Sequence, residues 1–144
     1  MFYIDIADPV STVADSLAGL WYFMPVGYAA TVAIEMPLLI FLLPKQISVR
    51  ARIACGFWLT ACTYPIVVLV LPALMAGFSR TSYLLVAETF APVAECLLFW
   101  LAFRKRDDLH TAGWVRSFLA VCIANLASFG IGELLNAYVW TRWF

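Results

Sequence analysis

The stretch Met24–Leu43, MPVGYAATVAIEMPLLIFLL, decides the fold class. Its twenty residues hold one acidic side chain, Glu35, and no basic one, and they end at Pro44-Lys45. A helix needs roughly 20 apolar residues to cross the hydrocarbon core of a bilayer. The direct reading is a transmembrane helix with one carboxyl near its middle. Three more stretches share this character. One runs from about Ile53 to Met75 and is closed by Gly77. One runs from about Tyr83 to Phe103 and is stopped by Arg104-Lys105-Arg106. One runs from about Val115 to Trp140. They are continuous apolar blocks, unlike the alternating segments of about 10 residues in a membrane β-strand. The expected fold is all-α: a four-helix transmembrane bundle with spans at about 24–43, 53–75, 83–103 and 115–140, in one domain covering 21–144.

Composition agrees. The chain has 144 residues, 65% hydrophobic and 12% charged, with mean hydropathy +0.92. An ordinary soluble domain is about 45–50% apolar and about 25% charged. So few charges cannot cover a water-soluble surface, which excludes a soluble enzyme, a nucleic-acid binder and a disordered chain. The lipid bilayer is the first partner, and nucleic acid is not one.

Basic residues give an expected orientation. Lys45, Arg50 and Arg52 lie in the first loop; Arg104, Lys105, Arg106 and Arg116 lie in the third. Only Arg80 and Arg142 fall at the opposite end. Seven against two favours loops 44–52 and 104–116 facing the cytoplasm, with both termini outside. Residues 1–20 carry Asp5, Asp8 and Asp15 and no basic start, so they read as an outer-side tail and not a signal peptide. Thr12-x-x-Asp15 matches a capping box, which suggests a short interfacial helix leading to Leu20 and Trp21; a structureless tail is the alternative. Trp21, Tyr22, Phe23, Tyr83, Tyr138, Trp140 and Trp143 fall where an outer aromatic belt is expected.

The acids separate by type. All five aspartates (Asp5, Asp8, Asp15, Asp107, Asp108) lie in the tail or a loop, and all four glutamates (Glu35, Glu88, Glu95, Glu133) lie inside spans. No Lys, Arg or His lies deep in a span. Glu35 and Glu95 fall near mid-span; Glu88 and Glu133 fall nearer the outer ends. Glu88 and Glu95 are seven residues apart, so they share a helix face at about 10.5 Å along the axis. Asn125, Ser128, Gly132 and Asn136 follow helical spacing in the fourth span, with Glu133 at the border. Thr60, Thr63 and Tyr64 supply a polar stripe in the second. The economical packing turns all four stripes inward, around one polar centre.

A lone carboxyl at a span centre costs roughly 2.5–3.5 kcal/mol on the insertion scale, offset by about a dozen apolar neighbours at roughly 0.3–0.6 each. Without a cationic partner, Glu35 and Glu95 are expected to be neutral at pH 7 unless a cation binds. A neutral carboxyl can tie helices together as donor and acceptor. Yet interhelical hydrogen bonds in membranes average only about 0.6 kcal/mol, and intramembrane ionisable residues are functional by default. Pro37 and Pro92 stand beside these acids and free backbone carbonyls one turn earlier. Those carbonyls offer a route to an oxygen-rich cation site, although membrane helices commonly tolerate proline. Gly130 and Gly132 suggest a close helix approach in the fourth span.

Other chemistries lack their residues. Cys55, Cys62, Cys96 and Cys122 lie within spans without a Cys-x-x-Cys pair, which reads as inert thiols. The single histidine, His110, lies in a loop, so no haem or zinc site can be built from histidines. There is no phosphate-binding glycine loop. No cofactor is expected, and no particular metal is indicated.

The pattern Glu35-Met36-Pro37, Thr63-Tyr64-Pro65, Glu88 with Glu95, and Asn125-Leu126-Ala127-Ser128 with Gly132 resembles small four-helix bacterial inner-membrane proteins. The resemblance covers the four spans and not the tail. It implies a bacterial inner membrane and a polar centre made of these residues, and it implies no activity.

Three functions fit these features. The first is binding or transport of a cation or proton, with Glu35 and Glu95 as the central pair and Glu88 and Glu133 as further carboxyls. Asn125, Ser128, Thr60, Thr63, Tyr64 and Asn136 would be the supporting polar groups. A bundle this small points to a homo-oligomer. The second is a non-catalytic subunit or assembly factor of a larger membrane complex. The third is an intramembrane enzyme, the least favoured, since no nucleophile or metal constellation is visible.

Overall fold

The computed structural model describes the backbone of residues 11–135 and the side-chain surroundings of residues 19–135. Helices make up 85% of it, and no strand occurs among the described residues. Helix α1 is Ser11–Leu42. Helix α2, Val49–Pro65, continues through a π-helical turn, Ile66–Val70, into the short α3, Leu71–Leu74. Helix α4 is Arg80–Phe103, and α5 is Thr111–Leu135. Four helical segments are long and apolar enough to cross a membrane: Gly19–Leu42, Val49–Leu74, Arg80–Phe103 and Thr111–Leu135.

The helix starts follow from local chemistry. A helix leaves its first N–H groups without partners, and a serine side chain can accept from one of them. Ser48 accepts from the Ala51 N–H at 3.3 Å to open α2, and Ser79 accepts from the Ser82 N–H at 3.2 Å to open α4. Carbonyls at the end of α1 and in the loop that follows it are bound by arginines. Arg52 donates to Ile40 O (2.6 Å), Pro44 O (3.0 Å) and Ile47 O (2.9 Å). Arg116 Nε donates to Leu42 O at 2.7 Å, and Arg106 to Gln46 O at 2.8 Å. Cations at a helix C-terminus also meet the negative end of its dipole. Both basic loops are thereby tied to one end of the bundle.

Short connections make neighbouring spans antiparallel, and the packing closes a ring. Helix α1 lies against α2 and α5; α4 lies against the same two. The pairs α1/α4 and α2/α5 therefore face each other across the diagonals. An apolar core fills the basic-loop end, built around Leu39, Leu43, Ile47, Leu59, Phe99 and Val121. A smaller cluster of Leu71, Tyr83 and Ala87 sits at the other end, which we call the terminal end because the chain termini lead from it. The outer surface is apolar too, with Phe41, Leu74, Leu85, Val93 and Leu126 exposed. A bundle that is apolar inside and out matches a lipid surrounding.

Two packing details shape the site. A methyl group at Gly56 would lie 2.7 Å from Met36 Cβ and 2.9 Å from its Cα, so glycine is what lets α1 and α2 approach there. A methyl group at Gly27 would collide with the Tyr64 hydroxyl. Gly130 and Gly132, expected to mark a close approach, have nothing within 4 Å of such a methyl group. Their helix meets its neighbours on another face.

The π-helical turn explains Tyr83. The Leu71 N–H donates to Ile66 O, a five-residue step. The next donor in that series falls on Pro72, which has none. Val67 O is left open, and the Tyr83 hydroxyl fills it at 2.9 Å. Tyr83 is consequently 9% exposed and is not the interfacial anchor that its place in the sequence suggested. Trp21 and Tyr22 are exposed, as an aromatic belt requires. Tyr138, Trp140 and Trp143 lie outside the described residues.

The described part of the N-terminal region also differs from the expected short helix. Helix α1 is continuous across positions 20 and 21, because nothing between Ser11 and Trp21 interrupts it. Spans two to four begin three to four residues earlier than hydropathy alone placed them, since Ser48, Ser79 and the residues at 111–114 add polar or aromatic first turns.

Candidate functional site

Glu35 and Glu95 come from α1 and α4, across one diagonal of the ring, and each is 2% exposed. The flanking helices α2 and α5 each contribute two polar side chains spaced three apart: Thr60 and Thr63, Asn125 and Ser128. That spacing puts both members of a pair on one helix face.

All four carboxylate oxygens are occupied. Glu35 Oε2 accepts from the Thr60 hydroxyl at 2.8 Å, and Oε1 from the Ser128 hydroxyl at 2.6 Å. Glu95 Oε1 accepts from the Thr63 hydroxyl at 2.7 Å, and Oε2 from the Asn125 amide at 2.7 Å. Helices α2 and α5 run in the same direction, so the pairing is crossed. Glu35 takes the earlier residue of α2 and the later residue of α5, and Glu95 takes the reverse. Both carboxyls therefore sit at nearly the same depth.

The donors have a second property. Each hydroxyl carries one hydrogen, yet each has a second acceptor on its own helix. Thr60 is 2.9 Å from Gly56 O, Thr63 is 3.1 Å from Leu59 O, and Ser128 is 3.0 Å from Asn125 O. Such a hydroxyl can donate to a charged carboxylate. It can equally turn its hydrogen to the helix carbonyl and accept from a neutral carboxylic acid. No heavy atom has to move between the two states. Asn125 is different, because Nδ2 also donates to Val121 O at 3.1 Å and so uses both hydrogens. A proton on Glu95 thus belongs on Oε1, facing Thr63.

A cavity of about 140 Å³ adjoins the pair, lined among others by Thr31, Tyr64, Glu88 and Phe129. Relative to Glu35 and Glu95, these four lie towards the terminal end, while the basic-loop end is filled by the apolar core. At about 30 Å³ per molecule the space suits roughly five waters. Glu88 is half-buried on the wall and has no hydrogen-bond partner among the described residues.

Glu133 stands apart from the centre. It pairs with Arg80, the first residue of α4, at 2.7 Å and the terminal end, with both side chains partly exposed. The sequence placed no cation near it, because the two residues are 53 positions apart. Tyr64 lies on the cavity wall and stacks edge-on against Tyr28, with ring centroids 6.2 Å apart. Asn136 lies outside the described residues. The arginine contacts that bind the loop end were not foreseen either. Arg52, Arg106 and Arg116 act on backbone carbonyls, which leave no signature in a sequence.

No cluster of three or more His, Cys, Asp or Glu able to hold a metal ion occurs among the described residues. The cysteines there are free, and only Cys55 is buried. The chain matches no protein-family model, no curated protein and no solved structure. What it does has to follow from the chemistry of this centre.

Proposed function

We propose that this chain is a multi-pass membrane protein that takes up and releases protons at Glu35 and Glu95 and couples that exchange to movement of a small cation. The basic loops would face the cytoplasm of a bacterial inner membrane, and the cavity would open to the outer side. One observation carries the reading: every oxygen of the buried pair is held by a donor, and three of the four donors can reverse their hydrogen. Such a shell supports both protonation states of each carboxyl. Helix–helix adhesion alone needs only one of them.

The remaining features fit the same reading. Glu88, unpartnered on the cavity wall, is placed to pass protons between cavity water and the pair. A metal ion would have to displace donors already bound to the central carboxyls, so a proton is the simpler occupant there, with the cation in the cavity beside Glu88. A path shared between copies, in a homo-oligomer, suits so small a bundle.

The test is proton movement in proteoliposomes holding a pH-sensitive dye, under an imposed pH gradient with sodium, potassium or ammonium outside. Dye response in wild type, lost in both Glu35→Gln and Glu95→Gln while each still inserts, is the expected result. Glutamine keeps the hydrogen bonds and removes the titration. Proton movement unchanged in both variants, or none in wild type with any of the three cations, would refute the proposal.

A further inference from the structure

A second concavity lies on the outside of the bundle, at the basic-loop end. It is a shallow, open depression of about 770 Å³ between the end of α1 and the outer face of α5. Val115, Leu119 and Ile123 form its floor at four-residue spacing, and Leu42 forms one wall. Thr111 and Arg116 stand at its loop end. From Thr111 to Ile123 the helix rises about 18 Å, close to one leaflet of a hydrocarbon core about 30 Å thick.

Arg116 is held in place there. Its Nε donates to Leu42 O at 2.7 Å, which fixes the guanidinium plane across the α1–α5 seam. The two terminal nitrogens have no partner among the described residues. A guanidinium presents its donors as a fork suited to two oxygens of one phosphate. Its surroundings are strongly basic. Lys45, Arg50, Arg104 and Lys105 lie at the same end, and none is paired with a carboxylate among the described residues. The acids of that end are Asp107 and Asp108, and Asp108 is already bound to Arg106.

We propose that this groove is a binding site for one anionic phospholipid. An acyl chain would lie on Val115, Leu119 and Ile123, and the phosphate would bind Arg116, with the Thr111 hydroxyl beside it. Shape and charge select the occupant: an apolar trough one leaflet deep, on a lipid-facing surface, ending at a fixed cation in a field of unpaired bases. The site is separate from the glutamate centre, and it depends only on the chain crossing a bilayer.

The test is native mass spectrometry of the protein released from mild detergent with equimolar phosphatidylglycerol and phosphatidylcholine of identical chains. One phosphatidylglycerol retained per chain, in preference to phosphatidylcholine, is expected. Arg116→Gln should weaken retention about tenfold, the scale of one charge-assisted hydrogen bond. Lys45→Gln, off the groove, should change it much less. Leu119→Trp puts a larger, differently shaped side chain on the floor and leaves Arg116 alone, so it should also weaken retention; this guards against a folding defect from losing the Leu42 contact. Equal retention of the two lipids would overturn the proposal. So would undiminished binding in Arg116→Gln and Leu119→Trp, displacement of the lipid by glycerol phosphate alone, or a lipid-free dimer that buries the groove.

Discussion

Replacing Gly56 by alanine tests the geometry on which the centre depends. The new methyl group would stand 2.7 Å from Met36 Cβ, against an ordinary contact of at least 3.4 Å, so α1 and α2 must part by roughly 0.7 Å. Thr60 is one turn further along α2, and its 2.8 Å bond to Glu35, the neighbour of Met36, would stretch towards 3.5 Å. That is the limit of a hydrogen bond. Losing it costs about 0.6 kcal/mol on average in a membrane, up to about 1.7. Overpacking costs about 1–3 kcal/mol, and the better helix propensity of alanine returns about 1. The net loss is about 0.6–3.7 kcal/mol. Steric trapping or denaturant titration in bicelles reads it directly. Gly130→Ala, which meets nothing within 4 Å, is the control and should be neutral or slightly stabilising. Equal stability of the two variants would refute the close approach at Gly56 and the placement of Thr60 against Glu35.

Three other outcomes follow from the packing. Tyr83→Phe leaves Val67 O without a donor beside Pro72 and should cost about 1–3 kcal/mol. Tyr28→Phe, whose hydroxyl bonds Phe57 O within the regular ladder of α2, should cost less in the same unfolding assay. Arg52→Met removes three bonds, to Ile40 O in α1 and to Pro44 O and Ile47 O in the loop after it, and should lower stability by about 2–3 kcal/mol; Arg52→Lys should recover less than half of that, since an ammonium lacks the fork geometry. Arg106 binds the Asp108 carboxyl and holds it below its ordinary value of 3.8. A lowered native value stabilises at pH above the ordinary one and is lost as pH falls through the native one. Hydrogen exchange in loop 104–110, corrected for intrinsic rate, should therefore stay constant from neutral pH to about pH 5 and rise only below the ordinary aspartate range.

What the sequence makes legible here is whatever a single helix encodes. Apolar run length marks each span. Spacing along one helix puts Thr60 with Thr63 and Asn125 with Ser128, and depth within a span singles out Glu35 and Glu95. Relations between helices are not written locally. The crossed pairing depends on the ring order, which places α1 opposite α4. Arg80 reaches Glu133 only because α4 starts where α5 ends. Gly56 and Gly130 look alike as letters, and only the packed face distinguishes them. Tyr83 reads as an anchor until the π-helical turn and Pro72 expose a carbonyl for it to cap. The arginines of the first and third loops read as markers of orientation, and their work on the carbonyls of α1 emerges only in three dimensions.

The central claim is that Glu35 and Glu95 exchange protons within a shell that accepts both states. Infrared difference spectroscopy of the protein in bilayers, stepped between acid and alkaline pH, observes carboxylic acid C=O stretching directly. Two such bands should appear and disappear reversibly, one absent in Glu35→Gln and the other in Glu95→Gln. Because the pairing is crossed, Thr60→Val should shift only the Glu35 band and Thr63→Val only the Glu95 band. Carboxyl bands that are fixed across the whole pH range, or that respond to neither glutamine variant, would contradict it.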